Sequence, residues 1–169
     1  VLPTGTEVAD VVLGEKGIFN NAKPGTLLIE LSTIDPQTTD RVHQEAKRIG
    51  LRALDAPIGR LAWHAERGES LFMIGGDKKD FEEAKPLFNA MGSTIHYCGK
   101  GGTGTRTKLV NNYLAIILCQ LNAEALSLSQ SFNLDLNTTL SVIDGTTATN
   151  GQLKINWPKK KFIISKKDK

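Results

Sequence analysis

Three groups of residues in this sequence have the types and spacing to do chemistry. The first lies in GTRTKLVNNYLA, where Lys108, Asn111, Asn112 and Ala115 recur at i, i+3, i+4 and i+7 and so share one face of a helix. The rest of that segment is mostly apolar, so this polar patch sits where burial is expected. A buried ammonium is costly unless it is partnered or employed. One such employment is proton exchange with a substrate oxygen near neutral pH. The plain alternative is that Lys108 reaches solvent and the asparagines satisfy backbone groups, and the helix alone does not separate the two. The second group is DAPIGR, Asp55 to Arg60. Pro57 and Gly59 shape a turn just past a strand end, where open α/β sheets bind ligands. Arg60 there is either a charged planar fork for a carboxylate, phosphate or sulfonate, or a solvated surface arginine. The third is GKGGTG, Gly99 to Gly104, between a strand and a helix. It is not followed by the Lys-Ser/Thr of a Walker loop, and Glu124, at the spacing of a dinucleotide fingerprint's acid, falls inside a helix. Its glycines are expected to turn the chain tightly and let it approach a bound ligand closely. His43 and His96 read as structural, and His64 is undecided.

The elements that must position these residues alternate in kind. Leu27 to Leu31, Leu51 to Ile58, Leu71 to Ile74 and Thr94 to Cys98 read as strands. Between them, Pro36 to Ile49 and the stretch capped by Asp77 and running to Met91 read as helices, and Thr6 to Leu13 as a helix before them. Strands separated by helices predict βαβ units and a mostly parallel sheet. After Gly104 the pattern changes. Residues 105 to 131 carry Leu109, Tyr113, Ile116, Ile117, Leu121 and Leu128 at helical spacing, a helix of about 40 Å. Asp135 to Ile143 predicts a further helix, and Thr147 to Ile155 another. The fold class is therefore α/β: a partial Rossmann-type parallel sheet, then the start of an all-α domain, joined by a long helix. The domains are expected at 1–104, binding nicotinamide, and 105–169, serving substrate and oligomerisation. The opening Val1-Leu2-Pro3 reads as the end of a strand, so that the sheet lacks its first strands.

Composition excludes several classes. Of the 169 residues 40% are hydrophobic and 23% charged, which is ordinary for a globular protein. No apolar run approaches the ~18 residues of a membrane span, and the residues before the first helix do not read as a signal peptide, so none is expected. Cys98 and Cys119 are too few for a disulfide framework, have no metal-ligand spacing, and are expected as buried free thiols. The net charge of +3 comes from the tail PKKKFIISKKDK, which alone carries +5 and leaves −2 for the remainder. That tail reads as a frayed terminus, with nucleic-acid binding as the rival; no aromatic interleaving supports the rival. A cytoplasmic protein with no metal, nucleic-acid or membrane partner is expected.

The succession Leu2-Pro3, Glu30-Leu31-Ser32-Thr33, Asp55-Ala56-Pro57, Gly75-Gly76 and G-x-x-G-x-G-x-x-x-K-x-x-N-N from Gly99 to Asn112 resembles the β-hydroxyacid dehydrogenase (3-hydroxyisobutyrate dehydrogenase-like) family over residues 1 to about 158. The resemblance implies hydride transfer with NAD, or NADP, as cofactor. It implies Lys108 as the acid/base and Asn112 as the residue holding the substrate oxygen. Leu2, Pro3 and Thr33 would line the cofactor site. It further implies a homo-oligomer formed through the helical domain. Most members continue the proline turn as Ser-Gly-Gly, whereas this chain has Gly59-Arg60-Leu61. That substitution and KLVNNY resemble a branch acting on small anionic aldehydes of the sulfolactaldehyde or succinic semialdehyde type. In that branch Gly59, Arg60, Leu61 and Asn111 would bind the substrate and its terminal anion. Ala115 stands where the branch has a serine, which keeps a carboxylate beside the sulfonate as the anion. The family's glycine cofactor loop and later helices have no match in this sequence, and Lys167-Asp168 only echoes a pair from that later region. A catalytically inactive fragment or scaffold of the same fold is the rival reading.

Overall fold

The computed structural model describes residues 1–156. The lysine-rich tail and Lys167-Asp168 lie outside the described residues. Two compact units divide after Asn111.

The first unit, Val1–Asn111, is built on one mixed sheet. Its elements are α1 (Gly5–Leu13), α2 (Ile18–Asn21), β1 (Leu27–Glu30), α3 (Pro36–Arg48), β2 (Arg52–Asp55), β3 (Ile58–Gly59), α4 (Ala62–Ala65), β4 (Ser70–Gly76), α5 (Lys78–Met91) and β5 (Gly92–Gly99), followed by the start of α6 (Thr103–Ser131). Local chemistry sets the helix starts. Asp35 and Asp77 accept hydrogen bonds from the backbone N–H groups of Thr38 and Lys79, each at 2.8 Å, and Pro36 occupies the first helical position of α3, where its missing N–H costs nothing. Alternation along β2 sends Ala53 into one core and Leu54 into the other. On one face Val8, Val12, Val42 and Ala46 of α1 and α3 pack over the sheet. On the opposite face Phe81, Ala84 and Phe88 of α5 meet Phe72 and Ile74 of β4. Both faces of the sheet are thus covered by helices.

The sheet is mostly parallel, as expected, with one reversal. The longer ladders, β1 with β2 and β4 with β5, are parallel, but β4 runs antiparallel to β2 and to β3. The cause lies in the segment read as one strand from Leu51 to Ile58. Ala56 still donates to Glu30 at 2.7 Å, but Pro57 has no N–H to continue a ladder. The chain leaves β2, and two residues, Ile58 and Gly59, re-pair as β3 against Phe72 and Leu71.

The second unit, from Asn112, holds the remainder of α6, α7 (Leu136–Asp144) and α8 (Gly151–Asn156). Asp135 caps α7 through the Thr138 N–H at 2.8 Å. Asn122 and Asn150 exchange amide hydrogen bonds of 3.0 and 2.9 Å, and Asn150 also accepts from the Leu153 N–H at the start of α8. Apolar residues that α6 carries at helical spacing are exposed: Tyr113 at 68%, Ile116 at 65% and Leu121 at 53%. The covered positions include Thr105, Lys108 and Ser129. Cys119 lies on the uncovered part of the helix and Cys98 is half-buried, so the thiols are free but not buried as expected. No helix among the described residues is long and apolar enough to cross a membrane.

Candidate functional site

The carboxyl ends of β1 and β2 lie side by side, with Glu30 opposite Asp55 in the parallel register. From this edge the chain builds the surroundings of most of the residues singled out above. The Leu2 N–H donates to Ser32 Oγ at 2.8 Å, which brings Leu2 and Pro3 beside Thr33 just past β1. Leu2 and Thr33 are half-buried and Pro3 is exposed. Glu30 accepts from the Ser32 N–H at 2.6 Å through one oxygen; its other oxygen is buried without a partner.

Asp55, 1% exposed, organises the start of α6. Its Oδ1 accepts from the Gly102 N–H at 2.7 Å and its Oδ2 from the Thr105 N–H at 2.8 Å. His43 Nε2 lies 2.9 Å from Oδ1, and because a carboxylate only accepts, that nitrogen carries the proton. Thr105 Oγ1 meets Thr39 Oγ1 at 3.2 Å. Arg106 donates to both carboxylate oxygens of Asp40 at 2.9 and 2.7 Å, and this guanidinium holds the Asp40 carboxyl below its ordinary range. The tight turn expected of GKGGTG is present, with φ 118° at Gly99 and 85° at Gly102. Its other glycines serve close approach of the protein to itself. A Cβ on Gly104 would lie 2.3 Å from the Met73 carbonyl oxygen and 2.6 Å from that of Asp55, and one on Gly101 would lie 2.5 Å from the His43 ring.

One turn into α6, Lys108 is 9% exposed. Burial disfavours its charged form and lowers its pKa below the ordinary lysine value. Asn111 is exposed, and Asn112 follows Lys108 by four residues on the same helix.

Arg60 is placed differently. Its backbone has φ 73°, the left-handed region that favours glycine. Its guanidinium donates to the Glu69 carbonyl at 2.6 Å and to the hydroxyls of Ser93 and Thr94 at 2.9 Å each. Those partners flank the Ser70↔Gly92 end of the β4–β5 ladder, whereas Gly75, beside the start of α6, lies at the other end. Gly59 is buried, since a Cβ there would touch Leu71 at 3.1 Å, and Leu61 is exposed. His64 accepts from the Leu61 N–H at 3.2 Å and stacks on Trp63, which gives it a local structural role at the start of α4. His43, read as structural, has such a part: it shares the buried carboxylate that holds α6. Nothing local in the sequence marks that pairing, because Asp55 lies 12 residues from His43 and 50 from Thr105.

A helix-covered sheet with its conspicuous side chains at the carboxyl ends of β1 and β2 defines a Rossmann-type nucleotide-binding domain leading into helices. Residues 1–99 match the NAD binding domain of 6-phosphogluconate dehydrogenase, and the chain belongs to that family, the β-hydroxyacid dehydrogenases. It is 37% identical over 160 residues to the 3-sulfolactaldehyde reductase of Escherichia coli K12, covering 95% of this chain and 54% of that protein. It is 34% identical, again over 160 residues, to the NAD-dependent L-serine dehydrogenase of Pseudomonas aeruginosa, covering 94% of this chain and 54% of that one. Among solved structures, Mycobacterium tuberculosis 3-hydroxyisobutyrate dehydrogenase with L-serine superposes with a TM-score of 0.83 at 32% identity, over 92% of this chain and 53% of that chain. The chain spans about half the length of the curated relatives it matches.

Proposed function

We propose that this chain is the central part of an oxidoreductase that reduces small anionic aldehydes, or oxidises the matching hydroxy acids, with Lys108 as the proton-transfer residue. The observation that carries the reading is the burial of Lys108 one turn into α6, with its ammonium form disfavoured by desolvation. An amine held in that state exchanges a proton near neutral pH more readily than a solvated lysine. Asn112, one helical turn further, supplies an amide to the same oxygen, and Asn111 and Arg60 serve the far anion of the substrate, with Gly59 and Leu61 shaping the turn. For Arg60 to take that part, its guanidinium must exchange the Ser93 and Thr94 hydroxyls for the anion.

Leu2, Pro3 and Thr33, gathered past the end of β1 by the Leu2–Ser32 hydrogen bond, fit the edge at which α/β sheets take dinucleotides. A nicotinamide bound there would supply or accept the hydride. The exposed apolar residues of α6 further support a homo-oligomer as the working form.

Replacing Lys108 with Ala in the whole protein is expected to lower kcat by ~10²–10⁴-fold and to leave cofactor affinity unchanged. Retention of more than about a tenth of the parent kcat, measured by NADH absorbance with sulfolactaldehyde and succinic semialdehyde, would remove Lys108 from the chemistry.

A further inference from the structure

We propose that Asp55 and His43 are positioning residues: together they fix the rotation of the first turn of α6 and through it the placement of Lys108. The proposal rests on the reading of Lys108 as the proton-transfer group.

An α-helix begins with backbone N–H groups that have no intrahelical partner, and a side chain at the N-cap usually accepts one or two of them. Gly102, the residue before α6, has no side chain to do so. Asp55 supplies the missing acceptor from β2, taking the N–H of Gly102 on one oxygen and that of Thr105 on the other. A cap belonging to the helix's own chain segment moves with the helix. A cap anchored in the sheet fixes the helix against the sheet, in rotation as well as height, because its two oxygens hold N–H groups three residues apart that face the same side of the first turn. Each residue of a helix turns the direction of its side chain by about 100°. Lys108 stands three residues after Thr105, so a slip of a single residue in that turn would carry its amine off the covered face.

His43 acts on the clamp itself. Its Nε2–H occupies a further site on the Oδ1 that receives Gly102, which orients the carboxylate plane. Space for this arrangement depends on Gly101 and Gly104, at which any side chain would displace His43 or the β4 backbone. Thr39–Thr105 and Asp40–Arg106 tie the same turn to α3 but leave its N–H groups unaddressed. The lowered pKa of Lys108, caused by burial, is the state that this placement preserves.

The test uses His43→Ala, His43→Gln and Asp55→Asn. Glutamine offers an amide N–H that can replace the histidine donor, whereas the Asp55→Asn amide turns an N–H toward a backbone N–H. For each variant shown to be folded by its circular-dichroism melt, the titration midpoint of Lys108 is read from the pH dependence of acetic anhydride labelling of its peptide by mass spectrometry. In the whole protein kcat and the KM for cofactor are measured beside it. His43→Ala and Asp55→Asn are expected to raise the Lys108 midpoint toward the ordinary lysine range. They should also lower kcat by roughly ten- to a hundredfold, as small misplacements of a catalytic group do, with the KM for cofactor unchanged. His43→Gln should return both readings toward the parent. Variants that melt earlier while keeping the parent midpoint and kcat would reduce the clamp to a stabilising contact and overturn the proposal. If the midpoint moves but the parent protein shows no turnover, the clamp stands and the catalytic reading of Lys108 alone fails. Should Asp55→Asn not fold, the two His43 variants decide the matter.

Discussion

At the scale of the residue, Arg60 sets a backbone cost against side-chain gains. A non-glycine residue in the left-handed region costs roughly 1–2 kcal/mol, and its φ of 73° puts it there. The three hydrogen bonds of its guanidinium offset that cost, since bonds to a charged group contribute ~1.5–3 kcal/mol when shielded and less at an exposed position such as this. Arg60→Gly removes the cost and the gain together and is expected to leave the melting temperature nearly unchanged. Arg60→Ala keeps the backbone cost and loses the bonds, so it should destabilise by about 1–2 kcal/mol in a denaturant titration. The glycine variant therefore isolates the kinetic question. If Arg60 serves the substrate anion, Arg60→Gly lowers kcat/KM for an anionic aldehyde roughly ten- to a hundredfold and that for an uncharged aldehyde of similar length far less. Equal losses for both substrates would leave Arg60 as a brace between β3 and β5.

At the scale of the element, the crowding around Gly104 makes a sharp contrast with Gly151. A methyl group on Gly104 meets backbone atoms of Met73, Asp55 and Gly75, none of which can rotate away. Gly104→Ala should destabilise by ~1–3 kcal/mol or more, as overpacking does. Gly151 begins α8 with open space around it, and Gly151→Ala should be neutral or stabilising by up to ~1 kcal/mol. Paired thermal melts would check both, and a Gly104→Ala variant as stable as the parent would contradict the close approach. The same contrast explains what the sequence could reveal. Asp77 announced α5 because a cap bonds to residues two or three positions away, and the same chemistry at Asp35 starts α3. Lys108 stood out because a cation within an apolar helical repeat is a local anomaly. The reversal of β4 was hidden because strand direction is decided by partners far along the chain, and α2 and α4, four residues each, are about one helical period and leave no pattern. The partners of Arg60 at Ser93 and Thr94 were out of reach for the same reason, as was the use of the GKGGTG glycines against the protein's own backbone.

At the scale of the whole molecule, the apolar residues along α6 are the feature that a single chain leaves unresolved. An isolated exposed leucine is normal on a protein surface. Tyr113, Leu114, Ile116 and Ile117 are exposed in close succession, and contiguous apolar patches mark interaction surfaces. Sedimentation equilibrium is expected to show a mass that rises with concentration, and charged replacements at Tyr113 and Ile116 should lower it. A monomer at every concentration would end the homo-oligomer reading.

The grip of Asp55 on Gly102 and Thr105 also bears on how the chain folds. These bonds join residues 47 and 50 positions apart, and contacts of such separation form only after long loops have closed. The middle of α6 is free to coil early, while its first turn acquires a fixed register only once β2 is in place. Terminal turns of helices ordinarily fray and lose their amide protons to solvent quickly. The Thr105 amide should do the opposite and exchange as slowly as the buried strand amides of Leu54 and Ile74, because all three are released by the same global opening. Native-state hydrogen exchange would show it, and a Thr105 proton lost at the rate of a frayed end would mean that the clamp opens while the sheet stays closed.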